Sequence, residues 1–301
     1  MKKDKKEKEV IKDKKEKEAV IDAAAEEEKK IITAKVRSRI YHLLAQAYLY
    51  PNEGSYTLIK NGFVEELRNS FSYLLLNYIK DDGKAEEVLD NLESLDKAIK
   101  RLKEGPLTDF QGHFARVFGH TISQECPQYE TQFGIKAEDV FHKCHELGDI
   151  AGFYNAFGLD LTDSQATKER VDHISVEFEF MYFLANKEAY GIENKDAEDK
   201  LDIVTSAQKK FVREHIAMWV PVFAKYLAKK TKTGFYKEVS QLTRAFVEQE
   251  ITYLKVKPRR LKSEEVSVEP LEEELITCDT TATYAGGGMG KPNPGGMGKS
   301  H

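Results

Sequence analysis

The chain has 301 residues, 41% hydrophobic and 32% charged, enough for one large core or two small ones beneath a densely charged surface. Its 46 Lys and Arg against 51 Asp and Glu leave a net charge of −5, which excludes the basic excess of a nucleic-acid binder or of a protein held on an anionic membrane. Three cysteines (Cys126, Cys144 and Cys278) with no CxxC make neither a disulfide framework nor a zinc ribbon, and point to a reducing compartment.

Residues 1–30 interleave Lys and Glu at three- and four-residue spacing, the pattern of a solvated helix or a charged, flexible tail. Val10, Ile11, Val20 and Ile21 are too few to dock it firmly. Its basic end lacks the following apolar run of about 7–15 residues that a secretory leader needs. No stretch of about 18 apolar residues occurs, so no membrane span is expected and the expected location is the cytoplasm.

From residue 31 the periodicity becomes helical. Val36, Ile40, Leu43, Leu44, Ala47 and Tyr48 form an amphipathic stripe that Pro51, Asn52 and Gly54 interrupt. Further helices are expected over Phe63–Ile79 and Ala85–Leu102, the second closed by Gly105-Pro106. Thr108 or Asp109 is the expected N-cap of the next, which carries Phe110, Phe114, Val117 and Phe118. Gly119 to Gly134 reads as an ordered loop. Helices follow over Lys136–Phe157, Arg170–Ala189, Asp196–Leu227 with a bend at Pro221, and Phe235–Leu254. Residues 159–168 form a polar loop between the first two. Alternating β-branched runs are absent. The expectation is an all-α fold: one helical bundle over 31–257, a charged tail at 1–30, and an acidic then Gly/Pro-rich flexible tail at 258–301. A patch at Leu271–Ile276 in that tail is apolar enough to dock in a groove.

Four constellations carry chemistry. Cys126-Pro127-Gln128-Tyr129-Glu130 lies in the long loop, where Tyr129 offers a flat contact with a hydroxyl and Glu130 a charge for an arginine; equally, the tyrosine packs and the acid caps a helix. Asp172-His173 stands at a helix start, with Glu177 one turn on, a spacing that allows a hydrogen bond or a metal pair. A zinc site needs three or four ligands, and none stands at a recognisable spacing, so a structural or partner-contacting His173 is favoured. His142, Cys144, His145 and Glu146 form a similar weak set. Phe211, His215, Trp219 and Phe223 share a helix face beside Pro221, as core or as the lip of a groove. No phosphate loop, GxGxxG, GxSxG or HExxH occurs and no nucleophile has a placed base. No catalytic residue, metal ligand or resident cofactor is therefore assigned, and a non-enzyme is expected.

With these residues in view, the chain resembles the TorD/DmsD/NarJ family of molybdoenzyme-specific maturation chaperones over residues 36–254. Tyr41-His42-Leu43-Leu44 with Tyr48-Leu49-Tyr50-Pro51 is similar to the family's opening helix. Phe110–Gly119 with Pro127-Gln128-Tyr129-Glu130-Thr131 resembles its "LF…P-Y-E-S" segment, with Thr131 where Ser is common. Tyr154–Leu159 resembles "Y-x-A-F-G", and Asp172–Met181 resembles "D-H-x-x-x-E-x-x-F-M", with Val171 where some members have Pro. His215–Phe223 is similar to "H-x-x-x-W-x-P-x-F".

The resemblance implies a cytoplasmic chaperone that binds the apo-catalytic subunit of a molybdenum oxidoreductase. Its twin-arginine signal peptide is the expected handle, held until the cofactor is inserted. It carries Tyr129, Glu130, Asp172 and His173 over as partner contacts, with Glu177 and Trp219 behind them. Glu130 and Asp172 are expected to meet the guanidinium forks, and an apolar groove the segment that follows. An adaptor for the core of a non-exported subunit is the alternative within the family. A metal-binding helical protein using His142, His145 or His173 with Glu177 is the alternative outside it. The chain is expected to be a monomer or dimer.

Overall fold

The computed structural model describes residues 2–119, 126–133, 140–159 and 169–258. Helix α1 spans Lys2–Tyr48, α2 Glu53–Lys60, α3 Phe63–Asn77, α4 Asp82–Lys103 and α5 Leu107–Phe118. A single 3-10 turn, Glu130–Gln132, precedes α6, Val140–Ala156. Helix α7 spans Ile174–Glu193, α8 Glu198–Phe211, α9 Ala217–Thr231 and α10 Phe235–Tyr253, with a π-helical turn, Val212–Ile216, between α8 and α9. Among the described residues the one extended pairing is an isolated antiparallel bridge between Tyr129 and His173. The bundle is all-α, as expected. No helix among these residues is long and apolar enough to cross a membrane. The loop at 160–168, parts of the loop at 119–134 and the tail after 258 lie outside the described residues.

Helix α1 is continuous from Lys2. Residues 21–28 stay exposed, and burial begins at Thr33 and Ala34. From there Ile40, Leu43, Leu44 and Tyr48 are fully buried, the helical stripe of the sequence turned inward. Tyr41 packs edge-on against Phe246 of α10 at 4.7 Å, and Tyr48 against Phe223 of α9 at 5.4 Å.

Four boundaries differ from expectation. Asn52 does more than interrupt α1, because it also caps α2. Its side chain accepts from Ser55 N at 3.0 Å while its own N–H donates to Ser55 Oγ at 3.1 Å, a capping box. Helix α5 starts at Leu107 with Pro106 as N-cap, since the fixed φ of proline suits helix entry. Thr108 and Asp109 fall inside the first turn. Helix α7 starts at Ile174 rather than Arg170, because residues 172 and 174 are engaged in backbone bonds across the bridge. The irregularity expected at Pro221 sits a turn upstream, at the π turn. Pro221 itself is inside α9, where its missing N–H leaves Ala217 without the usual donor. Cys126 is buried, and Cys144 is disulfide-bonded, where no disulfide framework was expected.

A buried charge locks the helices together. The Arg37 guanidinium of α1 donates to both Glu250 oxygens of α10 at 2.7 Å, to Gln208 of α8 at 2.8 Å and to Glu188 of α7 at 3.2 Å. Gln208 in turn donates to Glu188 at 2.9 Å, Tyr41 donates to Glu250 at 2.9 Å, and the Tyr253 ring lies 4.5 Å beneath the guanidinium carbon. Removing one member leaves the others buried and unmatched, at a cost of about 3–5 kcal/mol. Arg37→Ala should therefore lose about that much in urea unfolding. A loss below about 1 kcal/mol would show that water enters and solvates Glu250.

Candidate functional site

Two segments far apart in sequence meet through their backbones. Ile174 N donates to Gln128 O and Glu130 N donates to Asp172 O, each at 2.9 Å. Gln128 also donates its side-chain amide to the Tyr48 carbonyl at 2.8 Å, which pins the loop to the end of α1. The bridge sets Tyr129 and His173 side by side, with rings 5.0 Å apart and edge-on.

Asp172 is fully buried and saturated with donors. Arg170 Nε donates to Oδ1 at 3.0 Å; Arg170 Nη2 and Thr131 Oγ1 donate to Oδ2, both at 2.7 Å, and Thr131 N at 3.2 Å. The Arg170 guanidinium also lies 4.6 Å from the centre of the Tyr129 ring. Tyr129 donates its hydroxyl to Glu169 at 3.0 Å. His173 is the N-cap of α7, its Nδ1 accepting from Ser175 N at 3.2 Å. Burial pushes its pKa down to about 4, so the ring is neutral near pH 7, with Nε2 3.9 Å from Glu169.

His173 and Glu177 do not pair, although their spacing allowed it. Capping turns His173 toward the helix end, and Glu177 turns instead to Trp219, whose indole N–H donates to it at 3.1 Å. Behind Glu177 lies Glu130. Burial raises the Glu177 pKa well above the carboxylate range, and the charge of Glu130 and a hydrogen bond to it raise it further. As a carboxylate, Glu177 would bury Oε1 without a partner; as an acid it donates to Glu130. Both Glu130 oxygens lie 3.2 Å from His215 Nδ1, in the π turn. Burial alone would lower the His215 pKa, but Glu130 and then Asp149 outweigh it and hold the ring toward the charged form. Asp149, half-exposed on α6, stands 3.4 Å from His215 Nε2. One turn before it, half-buried Glu146 has its pKa pushed up to about 7, first by burial and then by Glu130.

All six residues singled out from the sequence thus converge, but five of them are interior: Glu130, Asp172, His173, Glu177 and Trp219 are each at most 2% exposed. Only Tyr129 reaches the surface. Beside it Glu169 and Arg170 are each 29% exposed, and Asp149, next to His215, is 46% exposed. Sequence reasoning gave no role to Arg170, Thr131, Asp149 or Glu169, and left His215 in a stripe read as core or as the lip of a groove. The H-x-x-x-W spacing of His215 and Trp219 was the one signal for it. His145 is exposed, and the side chain of His142 lies outside the described residues. Among the described residues no three His, Cys, Asp or Glu side chains are grouped to hold a metal.

Gln at position 177 reproduces the protonated acid, accepting from Trp219 and donating to Glu130. Because the folded-state pKa of Glu177 is raised, its stabilising effect is fully present below the unfolded value near 4.5 and is lost as pH rises through the folded one. Glu177→Gln should therefore match wild type within about 0.5 kcal/mol at pH 5 and exceed it at pH 9, whereas Glu177→Ala loses about 3 kcal/mol at pH 5 and less at pH 9, where wild type is itself weakened. Denaturant midpoints at the two pH values decide it: a Gln variant as damaged as the Ala variant would mean that Glu177 is ionised.

The family model described as nitrate reductase delta subunit matches residues 81–225. A chaperone protein TorD from Vibrio atlanticus is 24% identical over 193 residues, covering 63% of this chain and 86% of that protein. A perchlorate reductase assembly chaperone protein from Dechloromonas aromatica is 24% identical over 222 residues, 73% of this chain and 90% of that protein. A TorD chaperone from Aliivibrio fischeri is 28% identical over 196 residues, with coverages of 63% and 86%.

Proposed function

The chain belongs to the TorD/NarJ family of molybdoenzyme maturation chaperones, and from that premise we propose that it binds the apo-catalytic subunit of a molybdenum oxidoreductase in the cytoplasm and assists its assembly. Its relatives are named as chaperones, one of them an assembly chaperone for perchlorate reductase. The observation that carries the reading is the bridge that joins Pro127–Thr131 to Asp172–Glu177 into one acidic site opening at Tyr129. We propose a twin-arginine signal peptide as the ligand. Its basic pair would first meet Glu169 and Asp149 on the rim, because in the free protein Glu130 and Asp172 are held by His215 and Arg170.

An apolar segment following the arginines has a place to lie. A cleft of about 410 Å³ between α6, α7 and α8 is lined by Phe157, Leu201, Ile203 and Val204 together with the charged Lys187, Asp196 and Lys200. Asp149 and Ala156 share one face of α6, roughly 10 Å apart along the axis. Four extended residues of a peptide cover that distance.

The test is calorimetric titration with the signal peptide of a molybdoenzyme encoded beside this chain, against the same peptide with both arginines changed to Gln. Saturable binding that weakens at least about tenfold with the Gln peptide is expected, since two charge-assisted contacts are lost. Equal binding of both peptides, or of neither, removes the signal-peptide reading. The nitrate reductase delta description favours a second reading, an adaptor for the enzyme core. That reading expects capture of the apo-subunit to survive deletion of its leader.

A further inference from the structure

We propose that Asp172, Thr131 and Tyr129 form a seat for a guanidinium group, and that the free protein fills this seat with its own Arg170 until an arginine of the client displaces it. The inference rests on the client reading above for the identity of the incoming arginine, but the seat is visible without it.

Three contacts define the seat, each suited to a guanidinium rather than an ammonium. Asp172 presents two oxygens to the Arg170 fork, at 3.0 and 2.7 Å. The Thr131 hydroxyl accepts from the same Nη2 at 2.9 Å, and the Tyr129 ring supplies a face for the guanidinium plane. The seat is rigid because its parts are held by other bonds. Thr131 N and Oγ1 both donate to Asp172, and the backbone bridge fixes both strands of the site. Its floor is closed and its mouth is open: the Asp172 side chain is 0% exposed and that of Arg170 is 29% exposed.

Arg170 enters from two residues before Asp172, a local contact. Its departure needs rotation of one side chain and leaves the bridge intact. The vacated carboxylate is fully buried, so it cannot stay empty without cost; an arginine arriving from solvent supplies the same charge and the same donors. The partly exposed Glu169 beside the mouth offers a carboxylate to the displaced Arg170 or to a second client arginine. Exchange of one guanidinium for another keeps the buried charge balanced throughout. It also makes binding selective against peptides with lysine, which lacks the planar fork. Because Arg170 competes from within the molecule at an effective concentration of the order of millimolar or more, its removal should raise the affinity for an arginine peptide about tenfold or more.

The test has two arms. In the first, Arg170→Ala is melted with methylguanidinium or methylammonium at equal concentrations of tens of millimolar, beside wild type. The variant is expected to melt lower than wild type, and methylguanidinium alone to recover part of the loss while giving wild type nothing. Identical responses of variant and wild type to both cations would overturn the seat and leave Arg170 a plain structural clamp. If Arg170→Ala does not fold, Arg170→Lys, which keeps the charge and loses the fork, carries the same comparison. In the second arm a twin-arginine peptide is titrated into both proteins, with tighter binding by the variant expected. Rescue by methylguanidinium with no peptide binding to either protein would keep the seat and sink the client reading. Peptide binding of equal strength to both, with no rescue, would do the reverse.

Discussion

A guanidinium with almost no exposed surface constrains the whole bundle. Arg37 is 1% exposed, so every hydrogen bond it loses to water must be returned by protein. The returning groups come from α7, α8 and α10, and this can happen only when all four helices are in register. Helix α7 shows the consequence. Near its C-terminal end it is held by Glu188 in the Arg37 network; at its N-terminal end it is held by the bridge from His173 to Tyr129. The two anchors are fifteen residues apart, roughly 22 Å along the helix. The site therefore sits at the fixed end of a helix that is itself clamped, and its geometry is inherited from the core.

The site differs from that clamp in how its charge is balanced. Around Arg37 one cation meets two carboxylates, each with further donors. Around Glu130 the acids outnumber the cations within reach, and the interior answers by protonation. Glu177 is held as an acid, Glu146 titrates near neutrality, and His215 is drawn toward its charged form. Each shift lowers the net negative charge that must be buried. Glu169 and Asp149, in contrast, are partly exposed, at 29% and 46%. The interior of the cluster is thereby neutralised and holds shape, and its exposed carboxylates are the part a basic client is proposed to meet.

Periodicity made the long helices legible, because α1, α3, α4 and α10 bury regular stripes such as Ile40, Leu43, Leu44 and Tyr48. It failed where local chemistry rules. Asn52 after Pro51 reads as an end, yet the same residue starts α2 through its capping box. Pro221 reads as a break, yet the backbone accommodates it by widening a turn five residues earlier. In the site, the resemblance carried over Tyr129, Glu130, Asp172, His173, Glu177 and Trp219 from three separate stretches of sequence, and the fold brings the six together. Their partners were hidden. Asp172 finds Thr131 at a separation of 41 residues and Trp219 finds Glu177 at 42, distances over which a single sequence carries no contact information. Burial was hidden too, and burial decides that Asp172 holds a neighbour instead of standing open to a ligand.

The two arginines show why position outranks residue type. Arg37 and Arg170 make the same bidentate contact with a carboxylate, and both lie over a tyrosine ring, at 4.5 and 4.6 Å. Arg37 comes from mid-helix, its partners are spread over three other helices, and its path to solvent is closed. To release it the bundle must open, which couples it to global stability. Arg170 precedes a helix, its main partner is two residues away, and its side chain touches solvent. Releasing it disturbs a rotamer and one ion pair, a change small enough for a ligand to drive, because an incoming guanidinium restores the contacts that are lost. Identical chemistry thus yields a fixed fastener in the core and an exchangeable one at the mouth of the site.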